Sequence, residues 1–162
     1  MRIIMTPLVS SFDLSFRQLD ADSRKLLDLL SDGDLYQKPA SPAPSGNTSS
    51  CGEYLVRSAA VVEQTFGGIT TRLWDDPFEW TLPEKLGSTA DVLEYLDDVE
   101  RTRIRGFTLI QNDNDLLRHL PAPEKMMSLA ALLIETLARA RHFQGRAFAA
   151  FQLISDKKLP RL

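Results

Sequence analysis

The apolar positions of this chain recur at steps of three and four residues, which draws one face of an α-helix and nothing coherent on a strand. The first such stretch covers about residues 12–30, with Phe12, Phe16, Leu19, Ser23, Leu26 or Leu27, and Leu30 along its stripe. Ser31-Asp32-Gly33-Asp34 stops it. Residues 39–50 hold three prolines, a glycine and several serines, and read as a loop with no packing face. The second stretch, about 51–74, opens on Ser50 and Glu53. That spacing is the capping box, in which each side chain satisfies the other residue's free amide. Leu55, Ala59, Val62, Phe66, Ile69 and Leu73 form its stripe, and Asp75-Asp76-Pro77 ends it. Residues 78–87, with Trp80, Pro83 and Gly87, read as a connection.

The third stretch, about 89–111, repeats the start signal with Ser88 and Asp91. Val92, Leu96, Val99, Arg103, Phe107 and Ile110 follow at helical spacing. Gly106 is a weak point of about 1 kcal/mol against alanine. Residues 112–123 are polar and bounded by proline, with a short apolar turn at Leu116-Leu117. The fourth stretch runs from about 128 to 154 with Leu129, Leu132, Thr136, Ala140, Phe143, Ala147 and Ala150 on one face, and the residues from Asp156 to Pro160 end it. No run of alternating β-branched residues is present, so no sheet is expected. Four amphipathic helices bury their stripes only against one another. The pattern therefore predicts an all-α four-helix bundle, one domain spanning residues 1–162.

Composition changes this picture little. A chain of 162 residues buries roughly 70% of its unfolded surface, enough for a core without cross-links. The formal net charge of −3 argues against nucleic acid, which requires a clustered positive surface. The single cysteine, Cys51, excludes an intrachain disulfide; it reads as a small apolar residue near a helix start, in a reducing, cytoplasmic setting. No segment has the ~20 apolar residues of a membrane span. The N-terminus, with Arg2, the apolar patch from Ile3 to Met5 and then Pro7, lacks the long apolar core of a secretory signal.

Several motifs in order resemble a known family. Leu26-Leu27-Asp28-Leu29-Leu30-Ser31-Asp32-Gly33-Asp34-Leu35 precedes the proline-rich loop, and Ser50-Cys51-Gly52-Glu53-Tyr54-Leu55 follows it. Then come Thr89-Ala90-Asp91-Val92-Leu93-Glu94-Tyr95-Leu96 and His142-Phe143-Gln144-Gly145-Arg146. Together these resemble the DinB/YfiT-like superfamily of bacterial four-helix bundles, over most of the chain. The resemblance implies a divalent metal, zinc or nickel, held by three histidines. In some members it activates a thiol such as mycothiol or bacillithiol for transfer or isomerisation. It also implies that homodimers are common.

The positions that match those three histidines are Arg57, Arg139 and Phe143. Arginine stays protonated in proteins and phenylalanine has no donor atom, so none offers a lone pair. The chain has two histidines, His119 and His142, and His142 is one residue off the ligand position, turned by about 100°. No metal is expected; a slipped register that uses His142 with Glu135 or another carboxylate is the alternative. In place of the metal, Arg57 and Arg139 would face one pocket and hold a small anion, with a hydroxyl from Tyr54, an apolar wall from Phe143, and His142 nearby. A plainer reading competes: Glu135 and Arg139 form a surface ion pair, and Arg57 lies off its helix stripe with its stem covering apolar surface. Trp74, Trp80 and Phe78 are loop anchors or an aromatic lip over a pocket. His119 is a solvated loop residue. Asp97, Asp98, Glu100 and Arg101 form a solvated charged face.

Three functions remain open on the sequence. The first is a divergent, metal-free member of the family that binds a small anion or serves as a non-catalytic scaffold. The second is a metal-dependent thiol transferase or isomerase with displaced ligands. The third is a non-catalytic dimeric interaction module.

Overall fold

The computed structural model describes residues 6–40 and 48–161. Arg2, the Ile3-to-Met5 patch and the middle of the proline-rich loop lie outside the described residues. Four long helices form the body: α1 (Pro7–Leu27), α3 (Cys51–Thr71), α4 (Thr89–Thr108) and α5 (Leu129–Ile154); a one-turn helix, α2 (Asp32–Leu35), follows α1. The all-α bundle expected from the stripes is the fold found. Among the described residues no helix is long and apolar enough to cross a membrane.

Local chemistry sets the helix ends. Ser50 and Glu53 form a complete capping box on α3, and Ser88 and Asp91 form one on α4. Ser128 caps α5 by accepting from the Ala131 amide. The helix α1 begins at Pro7, ahead of the expected residue 12, because proline suits the first helical turn. Its N-terminus is tied down by Asp113, which accepts from the Thr6 hydroxyl and the Val9 amide. The helix α3 stops at Thr71, since Arg72 takes a left-handed conformation with φ 60°. The Ser31-to-Asp34 segment, expected only to stop the first helix, builds α2: Ser31 accepts from the Asp34 amide and caps it.

The connections contain more structure than their composition implies. Residues Pro77–Trp80 and Asp113–Leu117 form 3-10 turns. The strands β1 (His119–Pro121) and β2 (Met126–Ser128) pair as an antiparallel hairpin, against the expectation of no sheet. Three residues per strand are too few to show an alternating pattern.

Cross-helix contacts define the bundle. The pairs Ser58–Ala140 and Thr65–Thr136 run in opposite senses along α3 and α5, which are antiparallel. Glu63 meets Tyr95 and Phe66 meets Phe107, so α3 and α4 run parallel. A parallel pair needs a connection that travels back along the bundle, about 30 Å for a helix of 21 residues. Residues 72–88 make that return.

The core centres on Phe16, Phe66 and Phe107, with ring centroids 5.0, 5.2 and 6.1 Å apart in pairs. Each is at most 1% exposed, and burying such a ring contributes roughly 1.5–3 kcal/mol. Gly106 is where α4 crosses this cluster. A Cβ there would lie 2.4 Å from the Phe66 ring, so the residue expected to weaken α4 is what permits the close approach.

Polar groups are also buried. Arg103, counted by spacing among apolar positions, is 4% exposed and ion-paired with Asp13 and Glu100. Gln144 donates to the Leu19 carbonyl and the Ser23 hydroxyl, both at 2.7 Å, and accepts from Arg141, which also binds buried Asp22 at 2.8 Å. The acids of α4 are not merely a solvated face: Asp97 and Glu100 bind Arg24 of α1 at 2.7 and 3.5 Å.

Candidate functional site

Three of the five residues singled out in the sequence meet at one cleft. Arg57, Arg139 and Phe143 line a cavity of about 350 Å³ between α3, α5 and residues 76–83. Helical spacing brings them together. Glu53, Arg57, Ala60, Val61 and Gln64 share a face of α3, and Arg139 and Phe143 lie one turn apart on α5. The two helices are held in register by the Ser58 hydroxyl on the Ala140 carbonyl and by the hydroxyls of Thr65 and Thr136, each contact 2.8 Å long.

The third wall is the return segment between α3 and α4. Asp76, Pro77, Phe78, Thr81, Leu82 and Pro83 face the cleft. Asp76 accepts from the Phe78 amide at 3.1 Å and so caps the 3-10 turn, while Gln64 donates to the Trp74 carbonyl at 3.1 Å. Behind this wall Tyr95 donates to Glu63. Burial pushes the Glu63 carboxyl up, against the pull of hydrogen bonds from Tyr95 and Trp80.

The guanidinium of Arg57 sits over the Phe143 ring, 5.5 Å from its centroid. Neither Arg57 nor Arg139 has an ion-pair partner among the described residues, and Glu135 does not reach Arg139. Tyr54 and His142 do not line the cleft. Tyr54 is 7% exposed within the core, with Arg146 over its ring at 5.1 Å, and His142 is exposed beside the edge of Phe143.

The aromatic residues of the connection divide. Phe78 lines the cleft, whereas Trp74 packs on Gly68, where a Cβ would lie 2.3 Å from the indole. Trp80 is exposed. His119 is exposed and borders a second cleft of about 470 Å³ with Arg72, Trp74 and Arg118. Sequence reading missed Asp76, Gln64 and the 77–83 wall apart from Phe78, which it offered as part of an aromatic lip. Asp76-Pro77 was visible as a helix stop, but only the parallel α3/α4 arrangement lays it along α3.

The side chains at the three positions that the resemblance assigns to histidine ligands do not fit that role. Arg57, Arg139 and Phe143 have no lone pair to give, and among the described residues no three His, Cys, Asp or Glu side chains are grouped to hold one. Cys51 is buried, and burial pushes its thiol up to about 12, away from the reactive thiolate form.

No family model matches the sequence. No curated protein matches it at a significant level. The structure is similar to the crystal structure of a DinB-like protein from Bacillus cereus, with a TM-score of 0.73 and 16% sequence identity over 94% of this chain and 96% of the other. The fold of this chain is therefore that of a DinB-like protein, the architecture its motifs resemble.

Proposed function

We propose that the protein binds a small anionic molecule, without a metal, in the cleft between α3, α5 and residues 76–83. The observation that carries this is the state of Arg57 and Arg139. Six other arginines of the described chain (Arg17, Arg24, Arg101, Arg103, Arg118 and Arg141) each hold a carboxylate within 4.0 Å. Arg57 and Arg139 hold none, as do Arg72, Arg105, Arg146 and Arg161, but they are the two uncompensated arginines of the described chain that share a cleft. Paired guanidinium groups at a concave site repel each other until an anion lies between them, and their planar forks suit a carboxylate, sulfate or phosphate. Phe143, Phe78, Pro77 and Leu82 supply the apolar lining typical of small-ligand sites, and about 350 Å³ is within their usual size.

A thermal-shift series with acetate, benzoate, sulfate and phosphate tests the proposal. A ligand at a hundred times its Kd adds about 2.7 kcal/mol of stability, so a binding anion raises the melting temperature. The double variant Arg57→Ala, Arg139→Ala should lose that rise. An equal rise in the variant and the unaltered protein would refute the cleft as the binding site.

A further inference from the structure

We infer that the ligand of this cleft is a zwitterion of the amino-acid type. Its acidic head would meet Arg57 and Arg139, its ammonium Asp76 and Glu53, and its apolar side chain Phe78 and Phe143. This rests on the anion reading above and narrows it. The cleft carries two carboxylates as well as two guanidinium groups. No ion pair of the described residues joins either acid to a base. The acids are therefore not counterions that have already neutralised the arginines. Each also keeps an oxygen without a hydrogen-bond partner among the described residues. Glu53 uses Oε2 to accept from the Ser50 amide and hydroxyl at 2.7 and 2.9 Å, which leaves Oε1. Asp76 uses Oδ1 for the Phe78 amide, which leaves Oδ2.

A site with both signs of charge, unpaired, discriminates by repulsion as much as by attraction. A plain carboxylate satisfies Arg57 and Arg139 but confronts Asp76 and Glu53 with a like charge. A plain amine does the reverse. A primary ammonium beside a carboxylate satisfies both, since its three N–H groups can donate to the free carboxylate oxygens.

Calorimetric titration with three probes of one shape tests the inference: L-phenylalanine, 3-phenylpropionate and 2-phenylethylamine. L-Phenylalanine should bind at least tenfold more tightly than either analogue. Asp76→Asn and Glu53→Gln keep the capping acceptors and remove the charge. Each should narrow the gap to 3-phenylpropionate while leaving that probe's affinity equal or higher. If 3-phenylpropionate binds as tightly as L-phenylalanine and neither substitution matters, the zwitterion inference fails and the anion reading stands. If 2-phenylethylamine binds as tightly as L-phenylalanine, or no probe binds, the zwitterion inference fails, and the anion reading then stands or falls on the thermal-shift series and its Arg57→Ala, Arg139→Ala variant.

Discussion

The Arg57 guanidinium lies 5.5 Å from the centroid of the Phe143 ring, a contact between α3 and α5 at the mouth of the cleft. The ring holds the cation without neutralising it, which a carboxylate in that place would do. Stacking of this kind contributes about 0.5–1 kcal/mol at exposed sites. Phe143→Leu should therefore weaken binding of the best anion of the thermal-shift series about two- to fivefold, and Phe143→Tyr should preserve it. Direct titration of both variants measures this. Equal affinity in Phe143→Leu and the unaltered protein would show that the stack does not position Arg57.

The sequence displayed what depends on neighbours a few residues apart. The Ser50/Glu53 and Ser88/Asp91 boxes and the four stripes are local and are found in place, except Leu73, which lies beyond the end of α3 and is exposed. Arg139 and Phe143 share a face for the same reason. Their meeting with Arg57 was legible only through family resemblance, because spacing says nothing about which helix lies alongside. Tyr54 shows the limit: three residues from Arg57, it faces the core instead of the cleft. Arg103 sits in an apolar stripe because Asp13, ninety residues away, meets it there. Asp76 was out of reach for a similar reason, since its place follows from how α4 runs beside α3, whereas Phe78 was named as part of an aromatic lip from its composition alone.

Two glycines inside helices should respond to alanine with opposite signs. At Gly106 the new methyl would meet the Phe66 ring at 2.4 Å, within a packed aromatic cluster that has little room to move. Overpacking there costs about 1–3 kcal/mol and outweighs the gain of roughly 1 kcal/mol in helix propensity. At Gly145 nothing lies within 4 Å of the methyl position, so only the propensity gain remains. Urea denaturation should rank Gly145→Ala above the unaltered chain and Gly106→Ala below it. The reverse order would mean that α4 crosses α3 less closely than described.

Cys51 is fully buried and its thiol is pushed up to about 12 by burial. The thiolate is the reactive form, so the folded protein should resist iodoacetamide at neutral pH. Modification should follow opening of the α3 N-terminus, and addition of denaturant should accelerate it in step with unfolding. Labelling in the native state at the rate of a free thiol would contradict this placement.

Two carboxyl groups, buried Asp22 and half-buried Glu63, should shift acid stability in opposite directions. For Asp22, burial raises the pKa but is outweighed by hydrogen bonds from Arg141, Gln18 and Lys25, so the folded value lies below the ordinary 3.8. The unfolded chain then binds the extra proton first. The stability this group contributes is complete above pH 3.8 and is lost as pH falls through the folded value. Asp22→Asn should destabilise at neutral pH by about 1–3 kcal/mol, the cost of leaving its donors poorly matched, and by progressively less as acid is added. For Glu63 burial dominates and the folded value lies above 4.5, so the folded chain protonates first. Charged Glu63 lowers stability at neutral pH, and that penalty is relieved as pH falls through the raised value. Glu63→Gln, whose amide oxygen still accepts from Tyr95, should match or exceed the unaltered protein at neutral pH and lose that advantage in acid. Urea melts from neutral pH to about 3 test both substitutions. Parallel pH profiles for the two variants would show that the hydrogen bonds to Asp22 do not outweigh its burial.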